Sequence, residues 1–430
     1  MKNILTLRSG TMMNEGAVAG KQGLGELIRI RPYMQFILSK MVSRFGDSID
    51  SIAYSWMVYI LTGSKVLMGT LLAVNFLPNI LFGLFAGALV DRLSPKKVIV
   101  MTNTGRGVMV GLTALLFALG QLEVWHLFLF TILNSLLECF TSPAEVSSVP
   151  RLLPQSMLLS GNAMTSSATR LAELAGLAAA GALIATVGIA WTIWIDAALF
   201  ALSAILMSRV DYPEWMSPRA MSSGARSLIS EMADAFHFLR KHALLLVSSV
   251  LFAWVNFCLM PFNVLRTPYV METLQAGAWG LSLLSGLLVG GIVLGGLWMS
   301  QQGTRYRKSV LVITGIVMLG FGYAMTALPA YMTSYQLPTA GVFCLLMGLG
   351  IPLATTPLVS YLMEVTPAHM LGRVSALQSM LVLSVSPLGS LLSGVLADWF
   401  SMPALFILFG VLLGLSALLL LTSKSFRREM

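Results

Sequence analysis

Residues 67–120 decide the fold. They read Leu67-Met-Gly-Thr-Leu-Leu-Ala-Val-Asn-Phe-Leu-Pro-Asn-Ile-Leu-Phe-Gly-Leu-Phe-Ala-Gly-Ala-Leu-Val90, then Asp91-Arg-Leu-Ser-Pro-Lys-Lys97, then Val98-Ile-Val-Met-Thr-Asn-Thr-Gly-Arg-Gly-Val-Met-Val-Gly-Leu-Thr-Ala-Leu-Leu-Phe-Ala-Leu-Gly120. Each apolar run is long enough to cross the hydrocarbon core of a bilayer, which takes roughly 20 helical residues. A short, mostly basic hinge joins them. The runs are continuous rather than alternating, which selects spanning helices over a β-barrel.

The same unit recurs along the chain. Apolar runs fall at roughly 33–61, 67–90, 98–120, 124–146, 159–187 and 190–210, then at 244–273, 278–300, 308–332, 337–363, 371–397 and 402–422. This predicts an all-α membrane protein of twelve transmembrane helices in two six-helix lobes. The organisation reads as a tail at 1–32, an N-terminal lobe at 33–210, a middle loop at 211–243, a C-terminal lobe at 244–422 and a tail at 423–430. Composition agrees: 57% of residues are apolar and only 10% charged, against about a quarter charged in soluble chains. Mean hydropathy is +0.82. These values exclude a disordered chain, a disulfide scaffold and an ordinary cytosolic enzyme. Cys139, Cys258 and Cys344 each sit inside an apolar run and read as buried thiols, with no metal-ligand spacing among them.

Two weak internal matches suggest duplication. Gly87-Ala-Leu answers Gly296-Leu-Trp, an offset of 209 residues, and the stretch from Pro154 answers that from Pro367, an offset of 213. Both offsets are near half the chain.

Lys and Arg set the expected orientation. With the N-terminus inside, cytoplasmic segments hold Arg29, Arg31, Arg92, Lys96, Lys97, Arg151, Arg209, Arg219, Arg226, Arg240, Lys241, Arg305, Arg307, Lys308 and Arg373 along with both tails' basic residues, while the external loops hold only Lys65. Both termini are therefore expected in the cytoplasm of a bacterial inner (plasma) membrane. The net charge of +9 then belongs to loops beside anionic lipid and calls for no nucleic acid. Residues 227–240 show helical apolar spacing at Leu228, Met232, Ala235 and Leu239, the pattern of a short amphipathic surface helix.

The hinge Gly87-Ala-Leu-Val-Asp91-Arg92-Leu-Ser-Pro-Lys96-Lys97 resembles the cytoplasmic loop motif of the major facilitator superfamily. Ser94 and Pro95 stand where a glycine and a basic residue are usual, and the second-half counterpart of Asp91 falls near Ser300. Phe45-Gly-Asp47, Leu61-Thr-Gly-Ser64, Leu77-Pro78, Ser142-Pro-Ala144, Pro150-Arg-Leu-Leu-Pro154, Gly161-Asn-Ala163, Pro268-Tyr-Val270 and Gly372-Arg-Val374 follow in order. Together they resemble the drug–proton antiporter branch that includes macrolide efflux proteins and the enterobactin exporter. The resemblance implies two lobes around a central cavity, alternating access, and a cavity lined by spans 1 and 4 with 7 and 10 opposite. It implies a gate at Gly87, Asp91, Arg92 and Lys96, in which the glycine lets helix 2 pack closely and Asp91 meets a basic group or helix end across the lobes. Span 5 keeps glycines at Gly176 and Gly181 but lacks the usual proline, and span 4 lacks an arginine common in drug antiporters.

Ionisable residues inside spans are the sharpest functional signal, because each costs about 2.5–3.5 kcal/mol at a helix centre. Asp47 and Asp50 share a face of span 1, and Glu138 lies in span 4. A carboxylate in a low-dielectric site can exchange a proton near neutral pH, so these three are the proton-coupling candidates, with Asp50 first. Asp47 also fits a structural hydrogen bond. Arg170 and Glu173 fit an intrahelical pair or a relay. Arg266 would receive an anionic substrate group or pair with Asp50 or Glu138. Asp196 fits a solvated position near the outer surface. Glu145 and Glu364 fit gate or loop contacts. Trp56, Met57, Tyr59, Trp254, Phe257, Met260, Phe262 and Met347 would make either an adaptable apolar cavity or ordinary packing.

The function expected is secondary active, proton-coupled export of an amphipathic small molecule, by a monomer in the lipid bilayer that needs no cofactor beyond the proton gradient. One charge crossing about 150 mV yields about 3.5 kcal/mol, enough for a gradient of a few hundredfold. No phosphate-binding Gly-rich Lys-Ser/Thr loop is present. Alternatives are an uncoupled facilitator or importer of the same fold, a transport-inactive sensor, and a membrane enzyme, for which the four scattered histidines offer no convergent set.

Overall fold

The computed structural model describes residues 26–90, 93–212, 236–367 and 370–422. Twelve long helices account for nearly all of them: α1 (Arg31–Thr62), α2 (Lys65–Val90), α3 (Pro95–Ala118), α4 (Val124–Leu152), α5 (Leu158–Val187), α6 (Ile189–Ser208), α7 (Ala243–Pro268), α8 (Ala278–Gln302), α9 (Lys308–Met325), α10 (Gln336–Val365), α11 (Leu371–Trp399) and α12 (Met402–Thr422). Eleven of them are long and apolar enough to cross a membrane. The exception, α1, carries Arg31, Lys40, Arg44, Asp47 and Asp50. Residues 1–25 and 423–430 of the tails and most of the middle loop, including Leu228, Met232 and Ala235, lie outside the described residues, as do Asp91 and Arg92 of the gate motif. Residues 236–241 are helical, with Leu239 buried and Phe236 exposed.

Helices α1–α6 form one lobe and α7–α12 the other. Within the first, α1 packs on α5 and α6, α3 on α4 and α6, and α2 on α4. Within the second, α10 packs on α8 and α9, α9 on α12, and α7 on α11. Across the lobes, α2 meets α11 and α5 meets α8. Two runs end differently from their sequence limits. The run 308–332 stops as an α-helix at Met325 and continues as the 3-10 turn Leu328–Tyr331. The run 244–273 ends in a π-helical turn, Tyr269–Thr273, directly after Pro268. Gly63 closes α1 in the left-handed region (φ 60°), its N–H donating to the Tyr59 carbonyl, the conformation glycine adopts without a Cβ clash.

Lipid tails are as apolar as leucine, so helices in a membrane associate through close backbone approach rather than through a hydrophobic drive. The α8–α10 seam shows this. A Cβ on Gly348 would lie 2.1 Å from the Leu288 carbonyl oxygen, and one on Gly291 would lie 2.4 Å from that of Leu345. Neither obstacle is a flexible side chain. Gly348→Ala is therefore expected to destabilise the C-terminal lobe by about 1–3 kcal/mol, the usual range for overpacking. A thermal melt of the detergent-solubilised variant at the wild-type temperature would contradict that close approach. Leu81, Phe85, Met101, Trp191 and Leu419, by contrast, are more than half exposed and suit contact with lipid.

Candidate functional site

A cavity of about 410 Å³ lies between the lobes. Its polar wall comes from three helices of the N-terminal lobe, each contributing a stripe at helical spacing. Helix α1 supplies Arg44, Asp47, Asp50, Ser51 and Tyr54; α3 supplies Arg106, Val110 and Thr113; α4 supplies Thr131, Asn134 and Glu138. Helix α2 adds Met68, Leu71, Leu72, Asn75 and Phe76, and α7 faces them with Met260, Asn263 and Arg266. No residue of α10 is among those lining the cavity, although the family resemblance placed span 10 opposite spans 1 and 4. The aromatic and methionine set falls mostly on the packing side of its two readings. Of that set only Met260 lines the cavity, and Trp56, Met57, Phe262 and Met347 are buried in the cores of their lobes.

Arg106 organises the polar wall. Its side chain is 5% exposed. The Nη2 donates to Asp47 Oδ1 at 2.5 Å and the Nε donates to Asn134 Oδ1 at 2.9 Å. The guanidinium also lies 4.4 Å from the centre of the Phe200 ring, a favourable cation–π distance. Arg44 approaches the other Asp47 oxygen at 3.6 Å. Sequence reasoning missed Arg106, although the signal was there: Thr102-Asn-Thr-Gly-Arg106 interrupts an otherwise apolar run. The cation that faces the acids comes from α3, not from α4.

Asp47, Asp50 and Glu138 thus share one cavity, but their circumstances differ. Asp47 has two cationic neighbours. Asp50 and Glu138 have no ion pair or side-chain hydrogen bond among the described residues, and Arg106 acts on both only through space. Tyr54, one turn beyond Asp50, donates or accepts at Thr131 Oγ1 (2.7 Å) and lies 2.9 Å from the Leu127 carbonyl, which braces α1 against α4. Across the cavity, the Arg266 Nε is shut off from solvent with no hydrogen-bond partner among the described residues. Its guanidinium sits 5.9 Å from the Phe262 ring. The pairing of Arg266 with Asp50 or Glu138 that the sequence allowed is not formed here.

Other candidates lie elsewhere. Arg170 and Glu173 form a pair at 2.7 Å on α5, with the Arg170 side chain 56% exposed, and neither lines the cavity. Glu145 pairs with Lys40 at 2.8 Å, and Glu364 with Lys308. Lys96 donates to the Val210 carbonyl at 2.7 Å, at the end of α6. Ser300 donates to the Leu297 carbonyl of its own helix. Gly176 and Gly181 are true contact points. A Cβ on Gly176 would meet the Phe45 carbonyl at 2.6 Å, and one on Gly181 would meet Ser282 Oγ at 2.6 Å across the lobes. At Gly87 the expected close approach is absent, with nothing within 4 Å of its Cβ position among the described residues. The tight α2–α11 contact is made nearer the start of α2, where a Cβ on Gly69 would lie 2.5 Å from the Ser390 carbonyl. Asp196 overturns its expectation most clearly. It is fully buried rather than solvated, and neither carboxylate oxygen has a hydrogen-bond partner among the described residues.

The lobes are tied together at the end where α1 turns into α2. Glu272, in the turn after α7, accepts from Lys65 Nζ at 2.8 Å and from the Tyr59 hydroxyl. Gly394 of α11 abuts the backbone of Lys65 and Val66 beside this link. Lys65 and Glu272 are 20% and 40% exposed, so the pair is worth about 1 kcal/mol at most. Glu272→Gln should then raise the population open at this end by up to about fivefold. The check is the alkylation rate of a cysteine placed at Met68 by a membrane-impermeant maleimide applied to that side; an unchanged rate would show that the link does not hold the lobes.

Comparison with known proteins agrees with this architecture. The family model of the Major Facilitator Superfamily matches residues 36–388, and again 262–429. The chain is 25% identical over 386 residues to the multidrug efflux pump Tap of Mycobacterium tuberculosis, covering 87% of this chain and 89% of the pump. It is 25% identical over 361 residues to macrolide efflux protein A of Streptococcus pyogenes, covering 82% and 86%. The solved nucleoside transporter NupG superposes with a TM-score of 0.72 at 15% identity, over 91% of this chain and all of that one, a likeness of fold alone. The twelve helices, the two lobes meeting along α2–α11 and α5–α8, and the match over most of the length make this chain a member of the Major Facilitator Superfamily, a multi-pass membrane transporter and not an enzyme.

Proposed function

We propose that this transporter exports an amphipathic small molecule in exchange for protons, with Asp50 and Glu138 as the coupling carboxylates. The observation that carries the reading is the contrast within one cavity wall: Asp47 is held by Arg106 and Arg44, whereas Asp50 and Glu138 face the same space unpaired. A carboxylate without a fixed counter-ion can take up a proton, or a cationic group of the substrate, without breaking a pair. It therefore exchanges one for the other in a low-dielectric setting. The apolar residues from α2 and Met260 of α7 suit an amphipathic body, and Arg266 suits an anionic or strongly polar substituent on it. Similarity to a multidrug pump and a macrolide efflux protein supports the outward direction.

With the orientation that the Lys and Arg distribution favours, both termini face the cytoplasm, and the Lys65–Glu272 link closes the external end. The cavity is lined from both lobes of one chain, which supports a working monomer, and the proton gradient is the only energy source this mechanism requires.

The test is uptake of a fluorescent cationic amphiphile such as ethidium into inside-out vesicles containing the protein, driven by an imposed pH gradient. Accumulation that a protonophore abolishes supports exchange with protons. Entry that only equilibrates the probe and is indifferent to the gradient would replace it with uncoupled facilitation.

A further inference from the structure

Asp196 of α6 lies behind the cavity wall rather than on it. It is 0% exposed, and both carboxylate oxygens are shut off from solvent with no hydrogen-bond partner among the described residues. It sits directly on α1: a Cβ on Gly46 would lie 2.6 Å from its Oδ1, so only the missing side chain there makes room for it. Gly46 immediately precedes Asp47, the residue that Arg106 holds. The Arg106 guanidinium also rests on the ring of Phe200, one helical turn from Asp196 on α6. One buried cation therefore reaches from the cavity wall to the neighbourhood of Asp196.

An ionised carboxylate in such surroundings would be an uncompensated buried charge, which is far costlier than the neutral acid. The charged groups that act on it are Asp47 and Asp50 of α1 and Arg106 of α3. Arg44 of α1 is turned to Asp47, and the ionisable pair of α5, Arg170 and Glu173, is closed on itself.

We propose that Asp196 is a second proton-carrying site of the N-terminal lobe, which holds its proton while Arg106 is committed to Asp47 and gives it up when Arg106 turns to Asp196. The inference rests on the proton-coupled reading above. The step is balanced. The O–H bond of Asp196 breaks, the proton passes to the Asp47 carboxylate that Arg106 has left, and Arg106 becomes the counter-ion of the ionised Asp196. Total charge across the three groups is unchanged. The protonated Asp47, now on the cavity wall, releases its proton to cavity water. A swap of this kind would couple proton release to a movement of α3 against α1 and α6, the three helices that meet at this point.

The test needs no substrate. Purified protein in lipid nanodiscs is studied by infrared difference spectroscopy, for the carbonyl stretch of a neutral carboxylic acid. In parallel, the distance between spin labels at Gln121→Cys and Trp399→Cys, one on each lobe, is followed as pH is varied. The expected result is an acid band at neutral pH that is lost in Asp196→Asn and kept in Asp50→Asn, with the midpoint of the pH-dependent distance change moved by about one pH unit or abolished in Asp196→Asn. Absence of the band in the wild type, or its survival in Asp196→Asn, overturns the proposal. Loss of the band with an unchanged midpoint also overturns it, leaving Asp196 as a static buried acid. A wild type with no pH response at all would sink the coupled reading itself, and the proposal with it, whereas a wild-type response that Asp196→Asn retains sinks the proposal alone. Should Asp196→Asn fail to fold, Gly46→Ala presses a methyl group on the same carboxyl and leaves the acid in place. It is then expected to shift both the band and the midpoint, and no shift in either counts against the proposal.

Discussion

Replacing Asp50 with asparagine is expected to reduce the steady-state accumulation of a transported cationic amphiphile in inside-out vesicles from a few hundredfold to about onefold. The larger value follows from one proton exchanged for one cation down an imposed gradient of about 2.5 pH units, which supplies about 3.4 kcal/mol, at about 1.4 kcal/mol for each factor of ten. The loss should be of this size because coupling is all or none. A transporter that has lost a proton site obligatory for the exchange still exchanges substrate but has nothing to drive it uphill. Asp50 is singled out because it lines the cavity without a paired cation, while Asp47, three residues earlier, is held by Arg106 and Arg44. Counterflow of labelled substrate should persist in the variant. If Asp50→Asn still accumulates the probe to the wild-type level while Glu138→Gln does not, coupling belongs to α4. If both variants accumulate it, neither carboxylate carries the proton.

Arg106→Leu has the largest expected effect on stability. Arg106 is 4% exposed and its guanidinium serves Asp47, Asn134 and the Phe200 ring together. Removing it leaves Asp47 facing only the longer contact to Arg44. Breaking a buried pair from one side typically costs about 3–5 kcal/mol, because the remaining charge loses its compensation. Replacing both partners at once is far milder, since no charge is left behind. The prediction is therefore a large drop in the melting temperature of Arg106→Leu, largely recovered in the double variant Arg106→Leu/Asp47→Leu. A single variant as stable as the wild type, or a double variant no better than the single, would show that the pair does not hold α1 to α3. Both variants should lack proton-driven transport, so stability and function separate in the double variant.

Much of the fold was legible in the sequence. Twelve apolar runs at the length of a bilayer crossing led directly to twelve helices, and the hinge from Gly87 to Lys97 pointed to the family. The candidate site was legible in part. Asp47 and Asp50 stood out because two acids three residues apart in a span demand an explanation, and Glu138 did so as a lone acid in the next cavity helix. Arg106 escaped notice in the same run whose basic hinge had drawn attention. Asp196 was placed at the surface because it lies only a turn or two into its helix. Burial there is set by Gly46 of α1, some 150 residues away in the chain, and no local pattern announces such a contact.

The division has a physical cause. A soluble helix advertises its inner face through the contrast of apolar and polar residues. A membrane helix is apolar toward its neighbours and toward lipid alike, because lipid tails and leucine are equivalent partners. The sequence alone therefore determined what depends on totals and lengths: the membrane class, the number and order of helices, the basic bias of one set of loops, and which charged residues needed compensation. Only the tertiary structure decided what depends on rotation about each helix axis. It brought Asp50 and Glu138 to the cavity without a paired cation, set Arg106 between Asp47 and Phe200, closed Asp196 against Gly46, and tied the lobes through Lys65 and Glu272. Each successive residue turns about 100° around a helix, so a small rotation exchanges lipid, core and cavity. That rotation is fixed by backbone contacts such as Gly176 on Phe45 and Gly348 on Leu288, which exist only once the helices have packed.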